Sequence, residues 1–235
     1  MSACASSFAE FIAKETRLVR PSLCPEICLH LSPDLTRTWE AQERELGTTG
    51  LAPPYWASAW PGGQALARHL LDNPVLVAGQ RVLDLGCGSG LCAIAAALAG
   101  GARVEAADID RYACEAASMN AGANGVAVQA LCADLIGDSG ARWDVVLAAD
   151  LWYERFLAQR VTGWLRQLAG AGVRVLVGDL GRAFLPRQGM RELGRYPVDN
   201  SEGLERAGVD AASAYLLESP NAPGRDASHW RLSDA

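Results

Sequence analysis

Residues 81–90 read RVLDLGCGSG. An apolar run carrying one acid, Asp84, leads into three glycines at every second position, Gly86, Gly88 and Gly90, and the helix-forming LCAIAAALA follows. Strand, glycine turn and helix are the start of a βαβ unit, because glycine permits positive φ and close approach to the backbone. The pattern recurs downstream. Strand signals at 81–85, 103–108 (RVEAAD), 126–131 (VAVQAL), 143–149 (WDVVLAA) and 173–178 (VRVLVG) alternate with helical stretches at 91–99, 111–120 and 156–169. Five apolar strands separated by helices predict an α/β fold: a parallel sheet with helices on both faces and right-handed crossovers.

Beyond residue 181 the alternation stops. MRELGRYPV and AASAYLLES read as an antiparallel strand pair at the sheet edge, joined by a helix-like SEGLERAG, and NAPGRDASHWRLSDA reads as loop or frayed end. Ahead of the sheet, Ser7 can cap a helix running to about Thr16, and a short strand lies near Ile27–Leu31. Asp34 can cap a second helix ending at Gly47. A loop rich in proline and aromatics, LAPPYWASAWPGG, then feeds a third helix with Pro61 in its first turn. The expected organisation is an N-terminal helical cap, 1–75, on a main domain, 76–235.

Composition narrows the class. A chain of 235 residues, 50% apolar and 20% charged, suits one soluble α/β domain. The apolar run around Leu91–Leu98 is too short to span a bilayer, and the N-terminal stretch lacks a basic region ahead of an apolar one, so neither membrane nor secretion is expected. Net charge is −6 and Lys14 is the one lysine, with no basic stripe for nucleic acid. The seven cysteines are scattered, Cys24 and Cys28 find no second ligand pair, and His30, His69 and His229 stand alone. No metal is expected, and the thiols point to a cytoplasmic location.

The glycine turn implies a cofactor. Asp108 ends the next strand about twenty residues on, where a carboxylate can take both hydroxyls of a ribose. Read from Gly88, GSGLCA also fits the G-x-G-x-x-A dinucleotide pattern. The register argues against NAD, since the first glycine at the strand end is Gly86, which puts Leu91 in the third position. Asp84 adds a sign argument: two charges a few ångström apart interact by roughly 4 kcal/mol at an effective dielectric near 20. A pyrophosphate would be repelled and an α-ammonium attracted. S-adenosylmethionine (SAM) carries adenine, ribose and an ammonium, and no phosphate. Asp84, Gly86, Gly88, Gly90 and Asp108 are therefore the expected cofactor residues.

DLGCGSG followed by VEAADID resembles the first two motifs of class I SAM-dependent methyltransferases. The resemblance implies a Rossmann-like seven-stranded sheet and an adenine met after the third strand, with Asp134 in LCADLIG accepting from its amino group. The fourth strand exits as AADLWYE, and Asp150, Trp152 and Tyr153 look like the D-x-x-Y motif of seven-strand protein lysine methyltransferases rather than (D/N)PP(Y/F). APPYW at 52–56 does not replace it, because Ala52 offers no oxygen to a nucleobase amine. Over nearly the whole chain, PPYWASAWPGGQALARHLLDNP, VEAADID, ADLWYE and GDLGRAFLP resemble the bacterial form of the lysine methyltransferases of the electron-transfer flavoprotein β-subunit, with Leu180 replacing the usual proline of G-D-P-G-R. Ribosomal protein L11 methyltransferases are similar too.

The resemblance implies a protein substrate, the flavoprotein β-subunit first and ribosomal protein L11 next. Asp150 would hold the target ammonium and accept its proton second. Tyr153 and Trp152 would line a lysine channel, Trp60 would cover the cofactor, and Arg182 would set the mouth of the site. Another protein amine, a small molecule, or a SAM-binding module without catalysis are the rivals, and intact Asp150 and Tyr153 argue against the last.

Overall fold

A computed structural model describes residues 7–198 and 211–219. Its elements in chain order are α1 (Phe8–Glu15), β1 (Arg17–Val19), β2 (Leu29–Leu31), α2 (Leu35–Leu46), α3 (Pro61–Asp72), β3 (Arg81–Leu85), α4 (Leu91–Leu98), β4 (Arg103–Asp108), α5 (Arg111–Ala123), β5 (Gln129–Cys132), β6 (Val145–Ala149), α6 (Arg155–Gly170), β7 (Arg174–Asp179), β8 (Met190–Pro197) and β9 (Ala211–Leu217). One seven-stranded sheet has the order β5-β4-β3-β6-β7-β9-β8. β3, β4, β5, β6 and β7 are parallel, and β9 runs antiparallel to both β7 and β8. This is the expected architecture. SEGLERAG and NAPGRDASHWRLSDA lie outside the described residues.

Side chains alternate across the sheet, so each strand feeds two cores. Val82, Val104, Val145 and Leu176 face a layer built by α3, α4 and α5. Leu83, Leu85, Val146 and Val175 face α6, through Val161, Trp164 and Leu165. The two cores explain why these strands are apolar throughout.

Several boundaries differ from expectation, two strand starts among them, and one strand was not expected. The third strand starts at Gln129 rather than at residue 126, because Gly125 turns the chain at φ 65° and pairing with β4 begins only at Glu105 opposite Gln129. The fourth starts at Val145: Trp143 closes a turn on the Gly140 carbonyl, and the Asp144 carboxylate is taken by the Arg81 backbone and guanidinium. β1, three exposed residues pairing with β2, carries no apolar alternation that the sequence could signal.

The cap is fastened to α5. Ser7 and Glu10 form a capping box on α1, and Phe8, Phe11 and Trp56 pack around Tyr112 with ring centroids 4.7, 5.1 and 5.9 Å away. Asn120 inside α5, a residue type that helix interiors do not favour, and Asn124, the residue that ends the helix, bind the cap as a strand would. Asn120 Oδ1 accepts from His30 N at 2.7 Å, while Asn124 accepts from Cys28 N at 2.8 Å and donates to its carbonyl at 2.6 Å. No helix among the described residues is long and apolar enough to cross a membrane.

Candidate active site

At the carboxyl ends of β3, β4 and β6 the strand order reverses direction, and such a switch point opens a crevice. Here it is a cleft of about 730 Å³, roofed from the cap by Tyr55, Trp56 and Trp60. Four carboxylates line it, Asp108, Asp110, Asp134 and Asp150, against two guanidiniums, Arg111 and Arg182.

The glycine turn forms one wall. Gly86 and Gly88 line the cleft at φ 63° and 50°, and a Cβ on Gly86 would lie 2.6 Å from the Leu151 side chain. Gly88 N donates to Asp108 Oδ2 at 3.0 Å, and Asp110 N donates to Oδ1 at 3.0 Å. Each oxygen of Asp108 keeps a lone pair for a further donor. Burial raises its pKa and these amide bonds oppose the rise.

Two expected cofactor contacts are corrected. Asp84 is 2% exposed and lies beneath the turn, not on the cleft wall. Gly90 is the N-cap of α4 and has no side chain to cap it, so Asp84 does so from the strand: its Oδ2 accepts from Ala93 N at 2.9 Å. The acid of DLGCGSG therefore faces a helix N-terminus, whose partial positive charge it complements. Burial nevertheless pushes its pKa up to about 7. Gly90 serves packing instead. Its missing side chain lets α5 approach, since a Cβ would fall 2.9 Å from Ala117 Cβ.

Asp134 does line the cleft, with one oxygen held by Arg160 at 2.8 Å and the other by Ile136 N at 3.0 Å; the arginine lowers its pKa. Trp60 and Tyr153 are on the wall as well, and Tyr55 joins them. The Tyr55 ring lies 5.8 Å from Trp60 and 5.3 Å from Tyr153, and Tyr55 O accepts from Trp60 Nε1 at 2.7 Å. Trp152 is a third correction. Its ring is fully buried in the core under α6, donating to Thr162 Oγ1 at 3.0 Å, so it walls no channel. The strand ends one residue earlier, and positive φ at Asp150 redirects the chain.

Asp150 is the most constrained group. Its Oδ1 accepts from Gly62 N at 3.1 Å and Arg182 Nη1 at 2.6 Å, and its Oδ2 accepts from Gly63 N at 2.6 Å. The first turn of α3 thus aims at this carboxylate. Gly62 and Gly178 must be glycine: a Cβ on Gly62 would lie 2.6 Å from Asp150 Oδ1, and one on Gly178 would lie within clashing range of the Gly62 carbonyl. Burial raises the Asp150 pKa to about 6, Arg182 opposes this and Asp179 adds to it. Asp179, fully buried, accepts from Gly181 N and Arg182 N at 2.7 Å each, and from Arg182 Nη1 at 2.9 Å. This Asx turn shapes the loop in which Leu180 replaces proline, and Leu180 packs by Ala65 and Ala212.

Sequence reasoning missed Tyr55, Gly62, Gly63 and Asp179 as site residues. The signal was present in WPGG: a glycine in a helix costs about 1 kcal/mol relative to alanine, and at Gly62 the close approach of Asp150 and Gly178 requires it.

The cleft suits S-adenosylmethionine. Its glycine wall leaves room for backbone contact, Asp108 retains acceptors for a ribose, and four acids against two arginines favour a cationic ligand over a diphosphate. The sign argument therefore holds for the cleft as a whole, although Asp84 does not carry it. The family model for ribosomal protein L11 methyltransferase (PrmA) matches residues 65–152. The chain is 39% identical over 212 residues to the electron transfer flavoprotein beta subunit lysine methyltransferase of Danio rerio, covering 87% of this chain and 81% of that one. The protein of the same name from Xenopus laevis is 39% identical over 214 residues, covering 88% and 86%. Among solved structures, the Thermus thermophilus 16S rRNA N2 G1207 methyltransferase in complex with AdoMet and guanosine shares the fold, with TM-score 0.50 and 19% identity over 69% of this chain and 44% of that one. On these grounds the chain belongs to the electron-transfer flavoprotein β-subunit lysine methyltransferase family of SAM-dependent enzymes.

Proposed function

We propose that this enzyme methylates the Nζ of a lysine on the electron-transfer flavoprotein β-subunit, with Asp150 as the group that receives the target amine. The observation that carries this assignment is the placement of Asp150 where the glycine wall meets the aromatic rim of Tyr55, Trp60 and Tyr153. When bound, the cofactor supplies an electrophilic methyl on a sulfonium. Gly86, Gly88 and Asp108 would hold it, with Asp134 placed to accept from the adenine and Trp60 to cover it.

The target lysine must lose a proton before it can attack. With an ordinary pKa near 10.4, reaching the neutral amine at pH 7 costs roughly 4.6 kcal/mol. Asp150 opposes that loss, because a carboxylate favours the ammonium, while a nearby positive charge favours the neutral amine. Asp150 is accordingly a positioning acid first and a proton acceptor, directly or through water, second. Alignment for in-line transfer can supply roughly 7–11 kcal/mol. Tyr55 and Tyr153 add faces for the lysine methylenes and for a cation–π contact worth about 0.5–2 kcal/mol.

A ribosomal protein L11 substrate is the second reading, favoured by the family match over 65–152. That stretch covers most of α3 through the end of β6 and stops before Asp179 and Arg182. It speaks for the cofactor half more than for the substrate. The acid-rich cleft disfavours nucleic acid. Residues 1–75 serve as the cap over a catalytic domain, 76–235. The six described cysteines are all free, in keeping with a reducing cytoplasm.

The test is transfer of labelled methyl from SAM into purified flavoprotein β-subunit and into cell extract, followed by mass spectrometry. A methyllysine on the β-subunit is expected. Labelling of another protein in its place would overturn the substrate. D150A should abolish transfer and leave SAM affinity within a few-fold.

A further inference from the structure

Arg182 lines the cleft beside Asp150 and is bonded to its carboxylate. A single nitrogen, Nη1, bridges two buried carboxylates, Asp150 at 2.6 Å and Asp179 at 2.9 Å. Asp179 also holds the Arg182 backbone, so the guanidinium is aimed from its own loop. Among the described residues, the charged and titratable groups around Asp150 come from three elements. The end of β7 and its loop supply Asp179 and Arg182, α3 supplies the Gly62 and Gly63 amides, and α4 supplies Cys92. Cys92 donates to the Gly63 carbonyl at 3.5 Å, and burial keeps its thiol neutral by raising its pKa well above the ordinary value. Among the described residues, two carboxylates, one guanidinium and a neutral thiol leave this buried cluster one positive charge short.

We propose that Arg182 is a positioning residue that keeps Asp150 ionised and aimed into the cleft, so that the target ammonium supplies the missing cation. The inference rests on Asp150 receiving the amine, as argued above. Asp179 is the rear anchor. It sets the arginine in place and, being of like charge, works against Asp150 ionisation. The two neighbours therefore act on Asp150 in opposite directions.

The test is the pH dependence of kcat/KM for the protein substrate. Below the Asp150 pKa, log rate should rise with slope two, one proton from Asp150 and one from the lysine; above it the slope should fall to one. D150N should remove the break and nearly all activity. R182Q should move the break upward by about one pH unit or more. R182K should restore it to within about 0.3 unit, because an ammonium can bridge two carboxylates as a point charge. S-adenosylhomocysteine affinity, by calorimetry, should stay within a few-fold throughout. If D150N keeps the wild-type break and activity, the role of Asp150 fails and this inference with it. If D150N removes the break but R182Q leaves it in place, the inference alone fails. Should R182Q not fold, R182M decides: an unmoved or lowered break overturns the proposal.

Discussion

Asp150 has φ 58°, the one positive value among the described residues other than glycine. Aspartate tolerates the left-handed region better than most residues, yet holding it there costs of order 1–3 kcal/mol. Two amides of α3 and one guanidinium over-determine the position. A second residue-scale case is Asp84, whose folded pKa of about 7 lies above that of an unfolded aspartate. Between about pH 4 and 7 the native state holds a proton that the unfolded chain has released, so this group lowers stability as pH rises through that window. The carbonyl of an asparagine can still cap Ala93. The thermal midpoint of D84N should therefore gain on the wild type from pH 4 to 7; a constant difference would mean that the carboxyl titrates normally. For Asp108, D108A should weaken S-adenosylhomocysteine binding at least tenfold by calorimetry before it affects turnover at saturating cofactor.

Elements whose ends carry capping chemistry were legible in the sequence. Ser7, Asp34 with Gly47, and Pro61 marked α1, α2 and α3 to within a residue or two. β3 and β4 matched because one apolar run ends in a glycine turn and the other in an acid. β5 was misplaced, since Val126 and Val128 pack on the core without pairing to a strand. The site was legible in position more than in direction. Asp84 and Leu85 are neighbours on one strand and point to opposite faces, and spacing alone does not say whether an acid enters the cleft or caps a helix below it. Likewise Trp152 and Tyr153 are adjacent, one in the core and the other 48% exposed at the cleft. At this scale the junction of α3 with β7 gives a sharp expectation. G178A places a Cβ within clashing range of the Gly62 carbonyl, so the two elements must part. Overpacking of this kind costs typically 1–3 kcal/mol, and the variant should lose several degrees in thermal midpoint together with most of its turnover. A variant of wild-type stability would show that the junction can relax.

At the scale of the whole molecule, the part of the cap ahead of α3 is joined to the sheet chiefly through α5. Tyr112 collects three rings of the cap, and Asn120 and Asn124 supply strand-like hydrogen bonds one helical turn apart. The same cap roofs the cofactor cleft with Tyr55, Trp56 and Trp60. Loosening the attachment should therefore loosen the cofactor at a distance. An N120A/N124A variant should release S-adenosylhomocysteine at least several-fold faster in stopped-flow fluorescence, with the fold retained by circular dichroism. An unchanged release rate would mean that the roof stays in place by its rings alone.

The meeting of α3 with β7 has one more consequence, for anyone wishing to retune which amines the enzyme accepts. Where backbone presses on backbone beneath the acid, there is nothing left to shave away and no space into which to add. Breadth or narrowness toward new acceptors must therefore be sought by reshaping the two tyrosines at the entrance, whose phenol rings are free to shrink, swell or change polarity while the bedrock below keeps its shape.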